Sequence, residues 1–180
     1  MPRFRWLFQE RHRPLHGVAS RRMCQYCGCR DIPLIRDYIA EHAYVLNLGG
    51  EAVRRIDRGD LDTARRLLAE MAEELESHWR GEEEGLFKVL SRDELFTEHI
   101  EPLIREHRDL AELLANVDLT RTADQRAMRV AVEDLWEHTR KEEDGIFPAS
   151  LTELDGEDWD AAIAAWHEAH PGREMVKWGV

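Results

Sequence analysis

A ten-residue pattern occurs twice in this chain, and it sets both the period and the polarity of the segments that carry it. His78-Trp-Arg-Gly-Glu82-Glu83-Glu-Gly85-Leu86-Phe87 returns as His138-Thr-Arg-Lys-Glu142-Glu143-Asp-Gly145-Ile146-Phe147. A histidine and a carboxylate four residues apart share one face of an α-helix. Both copies continue apolar stripes of helical spacing, Leu68, Met71 and Leu75 before the first and Met128, Ala131 and Leu135 before the second. Glutamate is rarely buried without a partner, and an unpaired buried carboxylate is costly. Two such helices facing each other bring two imidazoles and two carboxylates to one point. That donor set suits iron and manganese above all, with zinc as a further option.

Each copy has a second histidine upstream, His42 for the first and His107 for the second, again inside an apolar stripe. The intervals His42–His78 and His107–His138 each hold a helix, a turn and most of another helix. The chain therefore reads as two helical hairpins, each offering one lone histidine and one His-xxx-Glu pair. The candidate metal ligands are His42, His78, Glu82, His107, His138 and Glu142. A single copy would better fit hydrogen-bonded core histidines and glutamates paired with arginines, but the repetition favours metal. Glu83 and Glu143 lie one residue further on, rotated about 100° around an ideal helix, and are expected to face solvent.

Local signals place the helices. Asp31 and Pro33 mark the start of the first, and Gly49-Gly50 weakens its middle. The second begins near Asp62 and the third near Pro102. The fourth opens on Thr122-x-x-Gln125, a capping-box pattern, and Pro148 should end it. A short amphipathic helix from Glu157 to about Glu168 follows, with Trp159, Ile163 and Trp166 on one side. The expected organisation is all-α, with a helical domain over 31–150, a C-terminal helix and tail over 151–180, and an irregular N-terminal tail over 1–30.

Charge narrows the partners. The net charge of −12 opposes nonspecific nucleic-acid binding. No apolar run approaches the roughly 20 residues needed to cross a bilayer. Met1–Met23 carries six arginines against one glutamate, a net of +5 that leaves −17 for the remainder. It has no apolar helical face, and its Phe4-Arg-Trp-Leu-Phe8 cluster is too short for a signal-peptide core. This stretch is expected to be a disordered tail, open to a protein partner, or to precede a translation start at Met23, and a cytoplasmic protein follows from either. Cys24, Cys27 and Cys29 form a C-x-x-C-x-C cluster unlike a secreted disulfide framework. It is either a second thiol site for redox or metal chemistry or a set of free thiols.

The six ligand candidates and their spacing resemble the hemerythrin-like (HHE cation-binding) family, over about Ile32 to Pro148. The family pattern of a histidine, H-x-x-x-E, a histidine and H-x-x-x-E falls on His42, His78 with Glu82, His107, and His138 with Glu142. The E-E-x-x-L-F-P tail of its motif appears as Glu142-Glu143-Asp-Gly-Ile-Phe-Pro148, and without the proline after Phe87. The resemblance implies an up-down-up-down four-helix bundle holding two non-heme irons, oxo- or hydroxo-bridged, with the glutamates bridging and the histidines on the outer faces. Manganese or zinc is the less favoured cofactor. Ferritin-like bundles instead use Glu-x-x-His, and no histidine here has a glutamate three residues before it. Oxygen-carrying members have a further histidine one turn along helix three, where this chain has Ala111. That leaves coordination positions to water, an exogenous ligand, or a further side chain among His99, Glu41 and Tyr44. The expected ligands are dioxygen, peroxide or nitric oxide, in redox and oxidative-stress handling; the alternatives are an iron or oxygen sensor, or an iron donor, working through a partner. Whether the protein turns over a substrate is left open.

Overall fold

The computed structural model describes residues 28–175, and among them every regular element is helical. Five helices are long: α1 (Ile35–Asp57), α2 (Leu61–Gly81), α4 (Glu94–Asn116), α5 (Thr122–Lys141) and α7 (Gly156–Ala169). The short α3 (Phe87–Leu90) and α6 (Phe147–Glu153) continue α2 and α5 beyond a π-helical turn in each case. α1 packs on α2 and α5, α2 on α4, and α4 on α5, while α7 lies against α2 and the π-turn that follows it. The C-terminal helix is thus a fifth wall of the fold rather than the short appendage its sequence suggests.

Apolar residues gather into two clusters. One holds Val45, Leu48, Met71, Leu75, Leu110, Met128 and Leu135. The other holds Tyr38, Leu86, Phe87, Leu103, Ile146, Phe147 and Trp166. Each histidine falls between a residue of one cluster and a residue of the other, on the same helix for His42 and His107 and across the following π-turn for His78 and His138. His42 lies between Tyr38 and Val45, and His107 between Leu103 and Leu110. The polar layer is sealed above and below by hydrocarbon, which strengthens any electrostatic interaction inside it.

Several local signals resolve differently from expectation. Gly49-Gly50 leaves α1 unbroken, and a Cβ on Gly49 would sit 3.1 Å from Val132 and 3.3 Å from Met71. That glycine allows close helix approach. α1 starts at Ile35, not Asp31, with Leu34 at φ 72° and its amide donating to Asp37 Oδ2. α4 begins eight residues before Pro102, on an Asp93 N-cap that accepts from Leu95 N, so the proline sits inside the helix and leaves one carbonyl without its usual donor. Gln125 donates to the Leu119 carbonyl instead of closing a capping box. Pro148 ends nothing, since it occupies the first turn of α6, where a proline costs no hydrogen bond.

Candidate metal centre

The repeated ten-residue pattern builds the same object twice. In each copy the histidine lies in the last turn of an α-helix, and the glutamate four residues on is the first residue of a π-turn, Glu82–Leu86 or Glu142–Ile146. The amides of Phe87 and Phe147 donate to the carbonyls of Glu82 and Glu142. This wide turn, five residues from donor to acceptor, is rare and concentrates at functional sites. It re-aims every residue after the first glutamate, so the 100° rule of an ideal helix does not apply there.

All six ligand candidates meet in the sealed layer. Glu82 and Glu142 are fully buried, and His42, His78, His107 and His138 are at most 3 % exposed. His42 Nε2 lies 3.0 Å from His78 Nε2, and His107 Nε2 lies 3.0 Å from His138 Nε2. Two imidazole nitrogens bound to one ion at about 2.1 Å sit roughly 3 Å apart when their bonds meet at a right angle. The carboxylates stand beside them: His78 Nε2 is 3.3 Å from Glu82, while His42 Nε2 and His138 Nε2 are 3.2 Å and 3.0 Å from the two oxygens of Glu142. Two donor groups result, His42, His78, Glu82 and Glu142 in one, and His107, His138 and Glu142 in the other. Glu142 belongs to both.

The outer layer explains why the histidines point as they do. Each Nδ1–H donates to its own carboxylate: His78 to Glu41 at 2.8 Å, His138 to Glu106 at 2.8 Å, His107 to Glu83 at 2.8 Å and His42 to Glu143 at 3.1 Å. A carboxylate on Nδ1 fixes the tautomer that leaves the Nε2 lone pair free and raises its basicity. Glu83 and Glu143 are therefore not simply solvated, contrary to the ideal-helix reading, because the π-turn swings them onto histidines. Each serves the lone histidine of the opposite hairpin. The motif phenylalanines cross in the same way, Phe147 stacking on His42 (5.7 Å, 10°) and Phe87 on His107 (6.0 Å, 12°).

The further ligand candidates do not enter the centre. Glu41 holds His78 from outside, Tyr44 is 44 % exposed and donates to Glu70, and His99 is exposed. Of the thiol cluster, Cys29 is buried near Arg30 and Glu143, while Cys24 and Cys27 lie outside the described residues. Arg30 donates to Glu143 at 2.8 Å, which ties that segment to the outer layer of His42.

Whether these residues fit a cation is decided by what is left over. Both oxygens of Glu82 and both of Glu142 are buried without a hydrogen-bond partner among the described residues; with the protons on Nδ1, the nearby Nε2 atoms present lone pairs to them rather than donors. A buried carboxylate without compensation is strongly unfavourable. Protons stand where positive charge is wanted. Burial and then the Glu142 charge push Glu82 well above the usual carboxylate range. Burial opposes ionisation of Glu142 as well, but His138, His107 and His42 outweigh it and hold that carboxyl low. Burial also pulls His138 down, yet Glu142 and Glu106 prevail and push it up to about 9. For His78 burial wins, and its pKa falls to about 4. A divalent cation would satisfy the orphaned oxygens and the four lone pairs together.

A profile of the hemerythrin HHE cation-binding domain matches residues 34–150. The chain belongs to that family. The match spans both hairpins and all six inner residues, and it stops short of α7. As an HHE domain the chain carries a cation-binding architecture, and its buried histidines and glutamates are compatible with holding metal. No curated protein and no solved structure is similar enough to add to this comparison. No helix among the described residues is long and apolar enough to cross a membrane.

Proposed function

We propose that this HHE protein holds two non-heme iron ions and binds or reacts with dioxygen, peroxide or nitric oxide in redox handling. The observation that carries the reading is the set of four orphaned carboxylate oxygens facing four imidazole nitrogens in a layer sealed by apolar clusters. In this reading the core is a four-helix bundle of up-down-up-down connectivity. His42 and His78 would hold one ion and His107 and His138 the other, with Glu82 and Glu142 supplying carboxylate oxygens to the pair. Mixed imidazole and carboxylate donors suit iron in both its common oxidation states. Iron supplies one-electron chemistry, and the protein supplies a dry, oriented site whose outer carboxylates tune the histidines. With six side chains for two ions, coordination positions are left for a small exogenous ligand, and Ala111 leaves one turn of α4 without a further imidazole.

A second reading is a sensor or iron donor that signals through a partner. It is favoured by the ion pair from Arg30 to Glu143, which links the cysteine-bearing segment to His42. Metal analysis with an optical spectrum in air tests the shared premise: about two irons per chain, with charge-transfer bands, are expected from the family resemblance. Consumption of peroxide or nitric oxide by the iron-loaded protein then separates turnover from sensing. Absence of bound iron, or loading with zinc alone from iron-replete medium, would refute the proposal.

A further inference from the structure

The two hairpins supply equivalent inner residues, but what surrounds them is not equivalent. On the His42/His78 side, Glu41 is 8 % exposed and both its oxygens are engaged. One accepts from His78 Nδ1 at 2.8 Å, and the other accepts from Trp166 Nε1 at 3.0 Å with His170 Nε2 at 3.3 Å. Trp166 and His170 stack on each other at 4.4 Å, and His170 Nδ1–H donates to the Trp166 carbonyl. Both come from α7 and its C-terminal end, outside the family match. α7 is held there by Arg80, which donates to the Ala169 carbonyl at 2.8 Å, and by its close seat on Gly85.

On the other side Glu106 occupies the place of Glu41, but its side chain is 32 % exposed and its second oxygen goes to Lys141 at the surface. Glu83, which orients His107, is 30 % exposed against 18 % for Glu143. A cavity of about 460 Å³ opens there, lined by Trp79, Glu83 and Ala111 among others. Its Trp79 wall is the ring stacked on His107 at 4.9 Å. The inner donors differ too, four on the α7 side and three on the cavity side.

From this asymmetry we infer that α7, through Trp166 and Glu41, makes the two metal positions unequal: the His42/His78 position retains its ion, while the His107/His138 position exchanges its ion. This rests on the two-metal reading. Release of an ion requires its histidines to rotate and a competing donor to approach. Locking the outer carboxylate in a dry interior slows both steps, and outer-shell partners are worth about 10–100-fold in metal affinity. Trp166 is a positioning residue, acting on the ion through Glu41 and His78.

The test uses the full chain loaded with two equivalents of cobalt(II), challenged with excess chelator and followed by metal content and visible spectrum. Two release phases of equal amplitude are expected, the slower by at least about tenfold. Trp166→Phe keeps the ring and removes the N–H donor, so it should accelerate only the slow phase; Glu106→Gln should accelerate only the fast one. His170→Gln is a second probe of the α7 side, and an unchanged fast phase in it or in Trp166→Phe reports an intact fold. Release of both ions in one phase, or a slow phase unmoved by Trp166→Phe and His170→Gln, overturns the inference and leaves two-metal binding standing. A chain that never takes up a second ion overturns the two-metal reading and this inference with it.

Discussion

Gly85 and Gly145 hold the same position in the repeated pattern, yet substituting them with alanine should move stability in opposite directions. Gly145 is exposed in its π-turn, and a Cβ built on it meets nothing within 4 Å. Alanine there lowers the conformational entropy lost on folding and should stabilise by about 0.5–1 kcal/mol. Gly85 is buried under α7, and its Cβ would lie 3.0 Å from the Ala162 carbonyl oxygen, 3.1 Å from Ala165 Cβ and 3.3 Å from Ala162 Cα. None of these atoms ends a flexible side chain, so the whole of α7 must give way. Overpacking of this kind typically costs about 1–3 kcal/mol, which outweighs the gain in propensity. In a chain of this length about 1 kcal/mol moves the midpoint by roughly 2–4 °C, so the two variants should differ by several degrees. Thermal and urea unfolding of the metal-free proteins is the suitable assay, because bound metal would add its own linkage. Equal shifts of the same sign would show that α7 does not sit on Gly85 as described.

Glu83→Ala and Glu143→Ala should each weaken metal binding by about 10–100-fold, measured by competition with a chelator, whereas Glu84→Ala, which removes only a surface contact with Lys88, should leave it unchanged. Glu82→Ala or Glu142→Ala should abolish binding of the pair; retention of two ions in either would refute the inner ligand assignment. Metal uptake should strengthen as pH rises toward about 9, because His138 and Glu82 must give up protons to bind. In the metal-free protein the sign reverses for His138: its folded value lies above 6.5, so its stabilisation is complete below pH 6.5 and fades as pH climbs to about 9. Urea titrations of metal-free and loaded protein across that window should diverge, and parallel curves would contradict the assignment. Removing residues 1–23 should leave metal binding intact, since the inner and outer residues identified among the described residues all lie between Glu41 and Glu143; loss of metal would show otherwise.

The convergence of these six residues was legible because each is a polar break in an apolar stripe, and six such breaks at matched spacing point to one shared buried layer. The outer carboxylates were missed although a signal existed. Glu41 and Glu106 directly precede the lone histidines, and Glu83 and Glu143 directly follow the inner glutamates, so all four are as duplicated as the ligands. What hid Glu83 and Glu143 was the assumption of 100° per residue, which fails inside a π-turn. The amphipathic spacing of Trp159, Ile163 and Trp166 marks a helix, but nothing in it tells which surface the helix covers. Its Trp166 reaches across 125 positions to Glu41, a pairing that only the folded chain defines. Gly49 shows the opposite failure, since a glycine that weakens an isolated helix is the residue that lets neighbours close in on it.

The crossing of Glu83 and Phe87 onto His107, and of Glu143 and Phe147 onto His42, makes each hairpin an incomplete instrument. A hairpin alone presents a lone imidazole with no carboxylate behind it and no ring beneath it. The missing parts exist in the same hairpin, but aimed at a neighbour. Two identical copies related by a twofold axis would satisfy every one of these interactions at once. In a single chain the two halves need not match outside these crossings, and they do not: α7 covers the Glu41 side, while Glu106 pairs with Lys141 at an open flank.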